Sequence, residues 1–456
     1  MKLTSLTAIS PIDGRYSNST ILLRDIFSEF GFLKYRINVE IQWFKKIISM
    51  SNILKIECIN YKETYLLDDI VKNFNEKDAI SIKNIEKTTN HDIKSLEYFL
   101  KNKISKLNIF SSILEFIHFG CTSEDINNIA YALMLKDARD KIILPLWHKI
   151  IKCLKEIVFK YQHITLLSLT HGQPATPSTM GKEIANFYYR MKRCCIKITN
   201  IEILGKMNGT TGNYNAHLAA YPKVNWHEIS KNFITSLGIS WNPYTTQIEP
   251  HDYIAEFFGC MSLFNTILID FNRDMWGYIS LKYFKQKLVD DEIGSSIMPH
   301  KINPIDFENS EGNLGLSNAL MNHMINKLPI SRWQRDLSDS TVLRNLGVVI
   351  SYSVIAYNSL LSGIKKLQIN ESEILKKLDE NWSVLSEPIQ TIMRRYGIKN
   401  AYEKLKKLTR GKKINKNIMH MFISSLDIPE EEKQRLKKMT PYNYIGYASQ
   451  IINELK

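Results

Sequence analysis

A histidine placed where regular structure stops is the first residue in this chain suited to moving a proton. His171 lies in "LSLTHGQPATP", followed by Gly172, Pro174 and Pro177. A histidine serving a core sits inside periodic apolar sequence, and this one does not. The free imidazole titrates nearest neutrality, so it can give or take a proton cheaply. A second concentration of reactive types is "GSSIMPHKINP", residues 294–304. Gly294, Pro299 and Pro304 exclude a helix or an interior strand there. The stretch nonetheless holds Ser295, Ser296, His300, Lys301 and Asn303, interleaved with Ile297 and Met298, which a loop gains nothing by showing to water.

Cationic groups come next. "RWQRDLSDSTVLRN" (332–345) carries three arginines. Ser340 and Arg344 are four apart and share a face if this segment is helical. A hydroxyl beside planar guanidinium forks suits a phosphate. The alternative is surface ion pairing with Asp336 and Asp339. Arg15 and Tyr16 follow a tight "DG" turn and gain meaning only beside another anion-binding group. His91 is followed by Asp92, which can fix its tautomer or cap a helix. His118, flanked by aromatics in "EFIHFG", reads as a satisfied core group. His148, His163, His227, His323 and His420 read as structural or exposed, and His217 and His251 give no sharp signal.

No HExxH spacing, Cys/His cluster, Walker loop or GxGxxG fingerprint occurs, so neither a metal nor a redox or nucleotide cofactor is expected. The chemistry should be carried by protons and anion-binding groups. The six cysteines are scattered without CxxC spacing, as reduced thiols would be. Net charge is +14, and residues 365–456 hold 19 Lys or Arg against 11 Asp or Glu. These charges interleave with Leu, Ile and Glu at helical spacing ("EKLKKLTRGKK"), the pattern of a solvated helix face rather than a nucleic-acid surface.

The elements that must hold these groups read as helices. "TSEDINNIAYALMLKDARD" (122–140) opens on Thr122 or Ser123 as a cap, with Glu124 and Asp125 in the first turn. "ILPLWHKIIKCLKEIVFKYQ" (142–161) sets Leu146, Ile150, Cys153, Leu154, Ile157, Val158 and Tyr161 on one stripe. Residues 308–328 read as another helix, and strands are expected to be few and short. Boundaries near 111 and 363 would divide the chain into 1–111, a central 112–363 of long helices, and 364–456. A bundle of such helices is expected to bury apolar stripes on partner subunits. No apolar run reaches the roughly 18 residues of a membrane span, and the amino terminus lacks a signal peptide's apolar core. The expectation is a cytoplasmic protein.

"GSSIMPHKINP" resembles the GSSxMPxKxNP signature of the fumarase/aspartase superfamily. "SPIDGRY", "TTNHDIKSLEYFL", "EFIHFGCTSEDINN", "LLSLTHGQPATPST", "NPYTTQIEPHDY" and "RWQRDLSDSTVLRNLG" are similar to its adenylosuccinate lyase branch, over residues 3 to about 456. The resemblance implies an all-α fold with a small amino-terminal helical domain, a long central bundle and a small carboxy-terminal helical domain. It also implies a homotetramer whose active sites draw on three subunits. The implied reactions eliminate fumarate from adenylosuccinate and from the succinylated aminoimidazole carboxamide ribotide, in purine biosynthesis. Argininosuccinate lyase and fumarase share the loop but need no phosphate site; "DGRY" with "RWQRDLSDSTVLR" separates them. A non-catalytic relative would have lost the acid or the base, and here both are present.

The residue roles follow from that resemblance. Ser295 is the implied general base and His171 the acid for the leaving nitrogen, although the sequence alone permits the reverse. Lys301 and Asn303, with Ile302 between them, would bind the succinyl carboxylate. Arg15, Tyr16, Arg335, Ser340, Thr341, Val342, Leu343 and Arg344 would serve the phosphate and ribose side. Asn90, His91, Asp92, Thr122, Ser123, Gln247, Ser296 and Asn309 would line the rest. Asp290, Asp291 and Glu292 would repel a dicarboxylate unless they face solvent or pair with lysines such as Lys285 and Lys287.

Overall fold

The run "EFGFLKYRINVEIQWFKKIIS" shows how the sequence builds its first core. It forms the helix Glu29–Ser49, started by Ser28, whose hydroxyl accepts the Gly31 N–H. One apolar stripe, Leu33, Ile37, Ile41, Phe44 and Ile48, packs with Leu96, Leu100, Ile104, Phe110 and Ile113. Each such buried side chain contributes about 1.5–3 kcal/mol. A second stripe, Arg36, Glu40, Trp43 and Ile47, is buried as well. Its two charged residues occupy positions where packing alone would call for apolar ones.

The computed structural model describes residues 2–57, 60–287, 297–298 and 300–455. By its contacts the chain divides into two compact units. One comprises Met1–Leu146, Cys194–Thr266 and Asn313–Ala356; the other comprises Trp147–Arg193, Ile267–Gly312 and Tyr357–Lys456. The fold is all-α. Among the described residues the strands form three two-stranded sheets.

In the first unit, Thr122 caps the helix Ser123–Ala138, and Asp125 returns the bond as a capping box. That helix runs through a π-helical turn, Arg139–Ile143, into Leu144–Lys160. Pro145, which has no N–H to give the preceding turn, lies just past this irregularity. Leu144–Lys160, which belongs to the second unit from Trp147 on, buries Trp147, Ile150, Leu154 and Val158, leaving Cys153 and Ile157 half-buried, so Trp147 is the anchor absent from the expected stripe. Deeper in the first unit, Asn265 donates to Ser353 at 2.9 Å, and Ser353 meets Ser317 at 2.8 Å. These buried polar groups are paired across three helices, which fixes their register.

The second unit contains a hairpin, Thr165–Thr170 with Gln173–Thr179, paired so that Thr170 faces Gln173. Its base is fixed where Thr165 Oγ1 donates to the Tyr442 carbonyl at 2.9 Å and Thr176 donates to Glu387. A carboxy-terminal core gathers Trp382, Leu385, Ile389, Met393, Leu405, Met419, Ile423 and Leu436.

Two helical stretches, Asp252–Ser280 and Ser338–Lys366, are long and apolar enough by length and composition to cross a membrane, which corrects the expectation that none would be. The physical reason is that a few polar residues interrupt each run while its mean hydropathy stays at 1.4. Their apolar windows are 56% and 67% buried within the protein, as core helices are. The five described cysteines are free thiols, and Cys58 lies outside the described residues.

Candidate active site

Asn90 and His91 form a corner between two helices. Glu76–Thr89 ends on Asn90, whose φ of 49° is left-handed. Asp92–Ser105 begins on His91, whose Nδ1 accepts the Lys94 N–H at 3.1 Å. An accepting Nδ1 puts the proton of the neutral ring on Nε2, so the exposed imidazole offers a donor edge. Asp92 then meets Arg36 Nη2 at 2.6 Å. Burial opposes ionisation of Asp92, but the charge of Arg36, the Ile93 N–H and Arg344 outweigh it, and the carboxyl is held below its usual range.

Across from this corner is the turn that starts the Ser123–Ala138 helix. Thr122 N–H donates to Asp125 Oδ2 at 2.8 Å. Asp125 also accepts from Asn208 N at 3.0 Å and Gly209 N at 3.1 Å, and pairs with Lys206 Nζ at 3.0 Å. The Asp125 and Lys206 side chains are both fully buried. The first helical turn is therefore clamped from beneath, and the N–H groups at its mouth suit a carboxylate. His91, Thr122 and Ser123 share an open cavity of about 610 Å³ with Lys94 and His118. His118 takes left-handed backbone and places Nδ1 2.6 Å from buried Glu40. It is satisfied, as its sequence suggested, but it also lines the cavity.

The arginine segment contains the short helix Ser338–Leu343, and Arg344 N–H donates to the Ser340 carbonyl at 3.3 Å. Ser340 and Val342 are half-buried, Thr341 and Arg344 exposed, and Leu343 buried. Arg335 lies 2.9 Å from Glu124 and 3.9 Å from Asp339, so part of the ion pairing weighed against anion binding is present. Asp336 instead accepts the Arg332 and Ser338 N–H groups. Arg344 lies 3.1 Å from Glu29 and 3.9 Å from Asp92. Behind the segment, His251 (φ 66°) is buried with Nε2 3.3 Å from Asp339 Oδ2 and Nδ1 3.7 Å from Glu249. Burial opposes ionisation at both carboxyls. His251 and Arg335 hold Asp339 below its usual range, whereas desolvation prevails at Glu249 and raises it.

Ile12 and Asp13 line a cavity of about 210 Å³ with Arg344, which brings the "DG" turn beside the arginine segment. Arg15 is exposed and Tyr16 half-buried. Gln247 Nε2 donates to the Thr210 carbonyl at 3.1 Å.

The second unit holds the remaining candidates. His171 and Gly172 are the two central residues of the hairpin turn, with φ of 55° and 72°. Positive φ at both positions matches the right-handed twist of the flanking strands. The cost of left-handed backbone falls on His171, and the turn carries the imidazole to an exposed tip. Lys301 and Ile302 are exposed, and Asn303 and Asn309 half-buried. Lys301 N–H donates to the Met298 carbonyl at 3.0 Å, and Gln286 Nε2 to the Ile302 carbonyl at 3.3 Å. Ile297 is 84% and Met298 50% exposed. Ser295 and Ser296 lie outside the described residues, as do Gly294, Asp290, Asp291 and Glu292.

Arg36 and Glu40 support these segments but carry no sequence motif, whereas His251 lies within "NPYTTQIEPHDY". Arg36 and Glu40 did leave a signal: two charges four apart on an apolar helical stripe.

A family model described as "Lyase" matches residues 14–318, and one described as "Adenylosuccinate lyase C-terminal" matches residues 331–445. The adenylosuccinate lyase of Buchnera aphidicola subsp. Acyrthosiphon pisum (strain APS) is 81% identical over 456 residues, covering 100% of both chains. That of Escherichia coli (strain K12) is 60% identical with the same coverage. A fumarate lyase structure from Mesorhizobium sp. BNC1 superposes with a TM-score of 0.75 at 15% identity, covering 95% of this chain and 97% of that one. The 3-carboxy-cis,cis-muconate lactonizing enzyme from Pseudomonas putida gives 0.73 at 18%, covering 95% and 96%. These two likenesses speak to the fold. End-to-end identity and both family models agree, and the chain belongs to the adenylosuccinate lyase family of the fumarase/aspartase superfamily.

Proposed function

We propose that this lyase eliminates fumarate from adenylosuccinate, giving AMP, and from the succinylated aminoimidazole carboxamide ribotide. The observation that carries the reading is 60% and 81% identity over the full chain to proteins named for the first of these reactions.

The reaction takes a proton from the carbon beside a carboxylate and breaks a C–N bond. It needs a base, an acid for the leaving nitrogen, and donors aimed at the charge that builds on the carboxylate. Ser295 is the base in this reading. A free serine is too weak a base, so backbone N–H groups around Ser295 and Ser296, the Lys301 ammonium and exclusion of water must strengthen it. His171 is the acid, and its exposed turn position leaves the ring free to approach a ligand. Lys301 and Asn303 hold the succinyl carboxylate. Arg15, Arg335, Ser340 and Arg344 take the phosphate side, and Asn90, His91, Thr122, Ser123 and Gln247 complete the pocket.

The protein acts as a cytoplasmic homotetramer with three subunits contributing to each site, which accounts for the dispersal of the site along the chain. Ile297 and Met298, exposed on one chain, pack against a neighbouring subunit when the loop shuts. The chain is read as three domains, divided near residues 111 and 363.

The test is to mix the purified protein with adenylosuccinate and follow fumarate. Absence of fumarate under all conditions overturns the reading. Ser295→Ala and His171→Ala, each assayed for proton exchange at the succinyl carbon and separately for C–N cleavage, assign base and acid. Full exchange in Ser295→Ala removes Ser295 from the role of base.

A further inference from the structure

Arg36 holds together two site segments that lie far apart in sequence. Its side chain is 2% exposed, and the guanidinium lies 3.7 Å over the Phe32 ring. Nη2 donates to Asp92 Oδ2 at 2.6 Å, and Nε donates to Asn127 Oδ1 at 2.9 Å. Nη1 is buried without a hydrogen-bond partner among the described residues. From Asn127 the chain of contacts goes on: Asn127 Nδ2 donates to Glu124 Oε1 at 2.9 Å, and that same oxygen lies 2.9 Å from Arg335. In the other direction, Asp92 Oδ2 lies 3.9 Å from Arg344. One polar string thus runs Arg344, Asp92, Arg36, Asn127, Glu124, Arg335, with Arg36 at its centre.

The distances decide who owns Asp92. Arg36 and Arg344 face the same carboxylate oxygen, and the buried Arg36 takes it at hydrogen-bond distance while Arg344 stays at 3.9 Å. Arg344 is 43% exposed, and although its Nη1 donates to Glu29 at 3.1 Å, its Nη2 is kept off Asp92 and is left for an anion. Without Arg36, the Asp92 charge would be uncompensated and would draw Arg344 onto itself. At the other end, Asn127 would lose the bond that fixes its amide against Glu124, the partner of Arg335.

We infer that Arg36 is a positioning residue, which neutralises Asp92 and so leaves Arg344 and Arg335 at a set spacing for the phosphate of the substrate. This rests on the proposed reading of those two arginines.

The test compares the full-length native chain with Arg36→Met, Arg36→Lys, Asp92→Asn and the Arg36→Met/Asp92→Asn double variant. Inorganic phosphate binding is read by calorimetry and adenylosuccinate turnover by steady-state kinetics. Arg36→Met should weaken phosphate binding and raise KM by about tenfold each, with kcat within about threefold, because a ground-state contact is lost. Arg36→Lys keeps the charge without the fork and should fall between. In the Asp92→Asn background, Arg36→Met should cost clearly less phosphate affinity than in the native chain, because the part of the harm that runs through Asp92 is already gone and only the part through Asn127 remains. A lowered melting temperature with phosphate affinity and KM unchanged would mean Arg36 is merely structural, and independent addition of the two substitutions would equally sink the inference. If Arg36→Met does not fold, Arg36→Lys measured with and without Asp92→Asn carries the same comparison. Native protein that binds no phosphate also overturns the inference. Phosphate binding that depends on Arg36 without any fumarate release would leave this inference standing and remove the elimination; fumarate release with Arg36-independent phosphate binding would do the opposite.

Discussion

His118 Nδ1 stands 2.6 Å from Glu40 Oε1, and the Glu40 carboxylate is fully buried. Burial pulls the His118 pKa down, but the charge and hydrogen bond of Glu40, helped by Glu97 and Asp125, outweigh it and raise the pKa above 6.5. The folded protein therefore holds this proton more tightly than the unfolded chain. The stabilisation is complete below the unfolded value and is lost as pH rises through the raised folded value. Glu40→Gln should cost about 1.5–3 kcal/mol near pH 6, the range for a hydrogen bond to a charged group. The gap from the native chain should narrow above the raised pKa. Urea unfolding at both pH values checks this, and an equal gap at each would show that the pair is not a charged one.

His171 carries left-handed backbone at the hairpin tip with Gly172 beside it, so the turn can spare its Cβ but the chemistry cannot spare its ring. His171→Gly should leave the melting temperature unchanged or slightly raised, because glycine adopts this backbone without steric cost. Fumarate release should fall by about 10²–10⁴, the usual worth of a positioned acid. Activity close to native would place the proton donor elsewhere.

That hairpin marks a limit of what the sequence discloses. The helices 122–140 and 142–161 were legible because their caps and apolar stripes are local. "LLSLTHGQPATPST" read only as a polar cluster, since His-Gly is not a common hairpin pair and Pro174 and Pro177 argue against a strand. Its pairing depends on partners such as Tyr442 and Glu387, far along the chain. Most motif-bearing candidates are named through their resemblance to the family's motifs, because Ser, Thr, Asn and Asp are at home in loops and turns and by type alone give no signal. Arg36 and Glu40 were not legible, because they sit in a well-formed helix and their partners, Asp92, Asn127 and His118, meet them only in the fold.

Gly120 takes φ of 70° directly before the Cys121–Ser123 turn, and a Cβ there would fall on the buried His217 ring. That ring is hemmed in by Trp43, Phe119, Trp226 and Tyr214 and has nowhere to move. Gly120→Ala should cost about 2–4 kcal/mol, combining left-handed strain with overpacking. Because the same turn presents Thr122 and Ser123, KM should rise with it. Gly120→Ala in a His217→Ala background should recover part of the loss. A melt and a KM both unchanged in Gly120→Ala would show that the turn tolerates a side chain.

Lys206 and Asp125 pair at 3.0 Å with both side chains fully buried. Lys206 Nζ also donates to the Gly209 carbonyl at 3.0 Å, and Asp125 accepts the Thr122, Asn208 and Gly209 N–H groups. Desolvating two charges is expensive, so the intact pair adds little by itself, whereas removing one partner strands the other in the interior. Lys206→Met should therefore destabilise by about 3–5 kcal/mol. Lys206→Met/Asp125→Asn should cost less than Lys206→Met alone, because the stranded charge is gone while Asn keeps one acceptor for the turn. Urea unfolding at one fixed protein concentration makes the comparison, since an oligomer's stability depends on concentration. A double variant weaker than Lys206→Met by the full cost of losing Asp125 would mean that the carboxylate acts on the Thr122 turn alone, with no debt to Lys206.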